Sequence, residues 1–423
     1  MLVPAVTEWP SLTRASELAN TTMARALVFV IACCWMAGCV GSSGGLGEAF
    51  TQRDSLGIAI VENRSPAWNT PWKVVDTPLV RIGMLDGPEE YLLSFVWDAS
   101  RLPDGSILVS NTGSQELRLY DSAGIFLRRL AGPGGGPGEF GSLASMRQWI
   151  HGGTVFVDDA VVNDRINLFD LTGHYVGLVR FSPTAHMHSP ALVGVYENGN
   201  LLALSLREDT TPPDADGLER PTQVYGRYDS AGLFLGVVAE IPDRPRVRHE
   251  FAGGINRSYL PLTPAVDVTL HGEKLIVRRG STPELEWRTP SGIRALVRWD
   301  APPGEAVNAV WSRLREVEVE AAPEIHRPLL EDFYSQSWPL PSRLPTHGRV
   351  LVDASGNSWV ARYFLRWDPD TKWDVLNPEG RWLGTVVIPA PFRIFEIGDD
   401  YVLGLTSDSL GVQQVQLRRL IKG

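Results

Sequence analysis

Apolar residues along this chain come in short runs, most of them introduced by a polar residue and a glycine. Asp104-Gly105 precedes Ile107-Leu108-Val109, and His151-Gly152 precedes Val155-Phe156-Val157. Asn198-Gly199 leads into Leu201-Leu202-Ala203, and His271-Gly272 into Leu275-Ile276-Val277. Ser355-Gly356 comes before Trp359-Val360, and Gly398-Asp399, in reversed order, before Tyr401-Val402-Leu403. Runs this short, bounded by turn residues, predict strands. The dipeptides supply the positive φ angles of tight hairpins.

A second unit follows most of these: an alternating strand, an Asp-x-x-Gly turn and a further strand. Asp121 to Gly124, Asp170 to Gly173 and Asp229 to Gly232 are the clear copies. Thr289 to Gly292 and Asn377 to Gly380 are weaker, and Asp408 to Gly411 precedes the last strand. Two hairpins per repeat make a four-stranded antiparallel sheet, too small to bury both faces alone. Radial stacking of such sheets covers the faces and leaves only short edges. Gly105, Gly152 and Gly199 lie 47 residues apart, close to known propeller periods of about 40–50. The later gaps, 73 to Gly272 and 84 to Gly356, require insertions. The expected fold is all-β, a six-bladed β-propeller with a short helical insertion.

Asp54 to Gly57 followed by Ile58 to Val61 reads as half a blade. Residues 54–64 are therefore expected to complete the C-terminal blade and close the ring. Between 303 and 345 the pattern changes. Val307, Val310, Trp311, Leu314 and Val317 recur at threes and fours, a helical face, and a second segment from Ile325 to Tyr334 is broken by Pro328. An elaborated loop between blades accounts for this stretch, and a lid over one mouth is the sharper alternative.

Composition fits this picture. The 41 glycines and 31 prolines make about 17% of the chain, against a usual share of roughly 12%. A net charge of −10 argues against a nucleic-acid partner, since phosphate binding needs clustered positive charge. Cys33, Cys34 and Cys39 are the three cysteines, so the chain beyond them can hold neither a disulfide nor a thiolate metal site.

The N-terminus has the order of an export signal. Met23-Ala24-Arg25 is followed by the uncharged apolar run from Ala26 to Trp35, then by Met36-Ala37-Gly38-Cys39. Small residues before a cysteine resemble a bacterial lipoprotein signal, which implies lipidation at Cys39. The apolar part is shorter than the ~20 residues of a spanning helix. Residues 1–38 are thus expected to be leader and signal, with Met23 the start, and 39–53 a Gly/Ser-rich tether. The propeller is expected over 54–423. The implied location is the bacterial cell envelope, with membrane contact through the lipid only. Val40 after the cysteine is not acidic, which favours the outer membrane under enterobacterial sorting.

From Arg118 to Phe140 the residues resemble a known group. Leu119 to Gly124, then Gly132 to Gly136, then Pro137-Gly138-Glu139-Phe140 are similar to bacterial six-bladed β-propeller lipoproteins related to NHL-repeat proteins. In that family a Gly-rich stretch ending Gly-Pro-Gly-Glu-Phe links consecutive blades. Asp353 to Val360 also looks like a blade of the family. The resemblance covers the body from about Asp54 onward. It implies fold and says almost nothing of chemistry.

Candidate chemistry is sparse. Gly132 to Gly138 lacks the lysine and hydroxyl of a P-loop, so it reads as a linker. His186 and His188 would share one strand face, but Pro183 and Pro190 indicate a loop and no third ligand accompanies them. Asp158, Asp159, Asn163 and Asp164 form a polar cluster after a predicted strand. Propellers resembling gluconolactonases or arylesterases gather such groups around a channel Ca²⁺, although turn formation explains them more simply. Eight tryptophans lie between Trp287 and Trp382, where blade packing or a stacking surface for sugars or peptides would use them. No Gly-x-Ser-x-Gly elbow or His-Glu-x-x-His helix occurs. The expectation is a binding or scaffold module for a protein, peptide or glycan, without an identified cofactor or catalytic residue. A metal-dependent hydrolase or lactonase using the central channel is the alternative.

Overall fold

The computed structural model describes residues 49–141, 146–159, 165–207 and 217–423. The leader, Cys39 and the first part of the expected tether lie outside the described residues, as do Asn163 and Asp164.

Six blades of four antiparallel strands follow one another along the chain, five of them separate four-stranded sheets and the fourth the core of a six-stranded sheet. Blade I spans 96–131, blade II 148–179, blade III 191–242, blade IV 267–299 and blade V 347–389. Blade VI takes three strands from 393–421 and its outermost strand from the N-terminal part of the chain. The innermost strands are Val96–Arg101, Gln148–His151, Ala191–Val195, Asp267–His271, His347–Val352 and Arg393–Ile397. Each touches the innermost strand of the next blade, and the sixth touches the first, so the ring is closed.

The physical reason for stacking is visible in single strands. Ile107–Asn111 and Glu116–Tyr120, in the middle of blade I, are buried at every position. Ile107 and Val109 face the core shared with blade VI, whereas Leu108 faces the core shared with blade II. Six such apolar clusters exist, one at each junction between neighbouring blades. A strand covered on both sides cannot alternate polar and apolar residues, which is why the blades read as continuous apolar runs.

Closure differs from the expectation. Three strands precede blade I: β1 (Phe50–Ser55), β2 (Ile58–Asn63) and β3 (Lys73–Ile82). It is β3 that pairs with Gln413–Ile421 and completes blade VI, with Val415 opposite Ile82. The hairpin of β1 and β2 instead extends blade IV, where β2 runs parallel to Gly292–Trp299. Residues 54–64 therefore do not close the ring. The Asp54 to Gly57 turn imitates the turn between third and fourth strands of a blade, whereas β3 has no such turn before it. The stretch expected as tether is already strand from Phe50 onward.

Five of the Asp-x-x-Gly-like turns join the third and fourth strands of their blades. Asp408 to Gly411 joins the second and third strands of blade VI, because that blade's fourth strand comes from the other end of the chain. Gly124 shows why these turns need glycine. Its φ is +83°, and a Cβ there would lie 2.8 Å from Val80 of the preceding blade.

The region between blades IV and V holds α1 (Val307–Ala321) and α2 (Arg327–Ser335). Val307, Val310 and Leu314 are buried on the predicted face. Pro328 does not break the second helix; it sits in the first turn, where its missing N–H costs nothing. The helices share a core with the three-stranded sheet of Leu218–Glu219, Arg246–Phe251 and Gly254–Tyr259. Insertions from blades III, IV and V thus form one small subdomain. Among the described residues no helix is long and apolar enough to cross a membrane.

Candidate functional site

Innermost strands of a propeller are edge strands, with backbone N–H and C=O groups unpaired on the axial side. Here those groups are met by side chains of the preceding blade. Asp98 of blade I accepts from Gln148 N–H of blade II at 3.0 Å. Trp149 Nε1 of blade II donates to Val193 O of blade III at 3.0 Å. Asp267 of blade IV accepts from Val350 N–H of blade V at 2.6 Å, and Thr269 Oγ1 donates to Val350 O at 2.9 Å. Arg349 Nη1 of blade V donates to Ile394 O of blade VI at 2.9 Å. Arg393 Nη2 of blade VI returns to blade I, donating to Val96 O at 2.7 Å and Trp97 O at 2.6 Å. At the remaining junction, blade III to blade IV, Gly194 lets Leu270 approach so closely that a Cβ would sit 2.9 Å from it.

This girdle surrounds an axial cavity of about 930 Å³, lined by all six innermost strands. The two ends differ. Where the inner strands begin, Asp98, Arg147, Asp267, Arg349 and Arg393 line the wall, with Trp97 beside them. Where they end, Arg101, His271, Asp353, Glu396 and Tyr401 line it. At that second end Arg101 N–H donates to Glu396 Oε2 at 3.0 Å, and Tyr401 Oη–H donates to Glu396 Oε1. The Arg101 guanidinium lies 4.7 Å from the centre of the Tyr401 ring.

Enclosure shifts the channel's acids and bases. Burial pushes the Asp98 carboxyl up from its ordinary 3.8 to about 6, with the Gln148 and Ala99 N–H groups and the Arg349 and Arg147 charges opposing it. Burial also raises Glu396 and lowers Arg349 and Arg393, and the Arg349 charge lowers Arg393 further.

A second polar cluster lies buried between blades IV and V, outside the channel lining. Asp374 receives His347 Nε2 at 3.1 Å, Trp299 Nε1 at 3.2 Å, Thr385 Oγ1 at 2.7 Å, and Arg362 Nε and Nη2 at 3.0 and 2.9 Å. Burial alone would raise its carboxyl; the bonds from His347 and Arg362, with the Arg362 charge and Thr385, outweigh that and bring it to about 2. Burial holds His347 below its ordinary value. With all its oxygens occupied, Asp374 clamps two blades together.

The expected cluster divides. Asp158 and Asp159 are buried at the end of the second strand of blade II and do not line the channel. Asp159 pairs with Arg165 at 3.2 Å, and Arg165 donates to Gly135 O and Glu139 O of the Gly-rich stretch. That stretch joins blade I to blade II, as the linker reading holds. His186 and His188 are exposed in the loop between blades II and III, with Met187 buried between them. Among the described residues no three His, Cys, Asp or Glu side chains come together to hold a metal ion.

The channel residues escaped sequence reasoning because each blade contributes only one or two of them. A signal exists nonetheless. Asp98, Arg147, Asp267, Arg349 and Arg393 each stand five to seven residues before the glycine of the following hairpin turn. A charge there, in a strand otherwise apolar, marks an axial position.

The fold and the channel define a six-bladed β-propeller. No family model and no curated protein matches the sequence. Among solved structures, a protein of Bacteroides fragilis inferred to be exported is similar over 86% of this chain and 100% of its own, at 12% identity and a TM-score of 0.45. A member of the DUF4221 family from Bacteroides vulgatus is similar over 83% of this chain and 99% of its own, at 11% identity and a TM-score of 0.44. A gluconolactonase from Xanthomonas campestris is similar over 84% of this chain and 99% of its own, at 12% identity and a TM-score of 0.39.

Proposed function

We propose that this propeller is a lipid-anchored binding module of the bacterial envelope, which takes a small ligand into its axial channel. The supporting observation is the channel itself: a cavity of about 930 Å³ whose wall carries charged groups from five of the blades, with Trp97 and Trp149 beside them. Cavities of roughly 300–1,000 Å³ with a few convergent polar groups are the usual form of small-ligand sites. Asp98, Asp267 and Glu396 on its wall are occupied in joining blades, which suits binding better than proton transfer. A hydrolytic reading would draw metal ligands from Asn163 or Asp164, which lie outside the described residues.

Thermal-shift screening of a metabolite library against the wild-type protein and Val195→Trp tests the reading. Val195 lines the channel, so the larger ring fills its bore. Hits that stabilise the wild type and fail with the variant support channel binding, whereas hits unaffected by the variant place the ligand elsewhere and refute it. For the anchor, labelled palmitate should enter the wild-type chain and not Cys39→Ala; equal labelling of both refutes lipidation at Cys39.

A further inference from the structure

We infer that the channel mouth at the start of the inner strands is a receptor for a small polyanion, held by Arg147, Arg349 and Arg393. This rests on the proposed binding role and adds the chemistry of the ligand.

Arginines elsewhere in this molecule follow a different pattern from those at the channel mouth. Where they are enclosed they are mostly matched to carboxylates: Arg118 with Glu116, Arg165 with Asp159, Arg362 with Asp374 and Arg418 with Asp76. The three channel arginines are not. Among the described residues none of them forms an ion pair. Arg349 is bonded to one backbone carbonyl through Nη1, and Arg393 to two through Nη2. Among the described residues the Arg147 guanidinium has no hydrogen-bond partner.

The carboxylates beside them act on them through charge alone, and their hydrogen bonds go to backbone N–H groups. Both oxygens of Asp98 accept backbone N–H groups, of Ala99 at 2.9 Å and Gln148 at 3.0 Å. Asp267 Oδ2 accepts Val350 N–H at 2.6 Å. Three guanidiniums reach the same channel mouth from blades II, V and VI, solvent-exposed and each with N–H donors uncommitted, and they repel one another. An oxyanion would relieve that repulsion, and guanidinium forks match carboxylate and phosphate oxygens alike. The surroundings exclude a large polymer from the bore, so a compact ligand with several charges fits best. The net charge of −10 on the chain makes this local excess of cations a built feature rather than a general one.

Calorimetric titration of the full-length protein with citrate, with pyrophosphate and with the neutral triethyl citrate tests the inference. Citrate or pyrophosphate should bind, triethyl citrate should not, and the tighter of the two anions names the ligand's acid group. Arg147→Met should weaken binding roughly tenfold, and Arg147→Lys should recover part of it. Arg147 is exposed, so this variant is expected to fold; Arg349→Lys provides a second probe. Affinity should also fall as salt rises. Triethyl citrate binding as well as citrate, with both lost in Val195→Trp, would overturn the inference and leave the channel-binding role standing. Anion affinity unchanged in Arg147→Met and Arg349→Lys would overturn it as well. Binding of none of the three would overturn the polyanion inference, and the metabolite screen would then decide the channel-binding role on its own.

Discussion

Asp98 in the first blade accepts a hydrogen bond from the backbone N–H of Gln148 in the second, 3.0 Å away. The same carboxylate holds the N–H of Ala99 at 2.9 Å. An edge strand that would otherwise leave its backbone bare is thereby joined to its neighbour, and the same device recurs around most of the ring.

This fixes the first prediction. Asp98→Ala leaves two enclosed N–H groups unpaired, at a cost of about 1–3 kcal/mol for each that water does not reach. Urea denaturation should show a lower midpoint at pH 7 with an unchanged slope. A midpoint equal to wild type would mean that water in the channel replaces the carboxylate in full.

Asp98 also makes stability depend on pH. Its pKa is raised in the fold to about 6 from an ordinary 3.8, so the folded chain holds this proton more tightly than the unfolded one. The extra stability from holding this proton is fully present below pH 4 and is lost as pH rises through about 6, while the bonds to the two N–H groups remain. The melting temperature of Asp98→Asn relative to wild type should accordingly climb between pH 4 and 6 and level off above 7. A difference that stays flat across that range rules out a raised Asp98.

The clamp between blades IV and V behaves in the opposite sense. Removing Asp374 strands His347, Arg362 and Trp299 in the interior, so Asp374→Ala should cost about 3–5 kcal/mol. Its pKa is lowered to about 2, so the wild type keeps the benefit above pH 4 and loses it as pH falls through 2. Denaturation midpoints of the two proteins should therefore converge in strong acid. Divergence there would show that the carboxylate is not the source of the stability.

Ring closure gives a test that separates two segments. Ile82 of β3 is fully buried in the core between blades VI and I, whereas Leu56, at the turn between β1 and β2, is fully exposed. Ile82→Ala should cost about 2–5 kcal/mol, and Leu56→Ala almost nothing. Asn63 at the end of β2 lies between them. It donates to Arg298 O and Gly380 O and accepts Trp382 N–H, so Asn63→Ala should loosen the added hairpin at a cost of about 2 kcal/mol. Hydrogen exchange should show opening confined to residues 50–63 for Asn63→Ala and spread over blades VI and I for Ile82→Ala. The reverse distribution would restore the hairpin as the closing element.

These segments also show what can be read from the chain alone. The hairpin turns at Gly105, Gly152 and Gly199 are local, repeated and need positive φ, so they betray the blades directly. The amphipathic face of α1 is local too. Closure is not: β3 finds its partner across more than 300 residues of chain, and its sequence Lys73 to Ile82 carries no turn of its own. The Asp54 to Gly57 turn, which does, belongs to a strand pair added to another blade. The channel was illegible for the same reason. Arg349 and Arg393 stand on consecutive blades, but Arg147 lies about 200 residues before them and joins them only because the ring brings blade II round to the same channel mouth.

The anion site and the titration of Asp98 are linked, and the link has a definite sign. Asp98 shares the mouth with Arg147 of blade II, Asp267 of blade IV, Arg349 of blade V and Arg393 of blade VI, with Arg101 and Glu396 deeper in the bore. Near pH 7.5 its carboxylate offsets one of the three arginine charges. Protonation around pH 6 removes that offset while the guanidiniums stay charged. Sulfate, whose charge does not change over this range, is the clean probe. Its affinity should rise several-fold from pH 7.5 to 5.5, by the loss of one repulsive charge in an enclosed site. Glu396, also raised, adds a smaller effect of the same sign from farther along the channel. Asp98→Asn should bind sulfate more tightly than wild type at pH 7.5 and respond to pH far less. A wild-type affinity that falls on acidification, or a variant as pH-sensitive as its parent, would break the connection between this carboxylate and the three arginines.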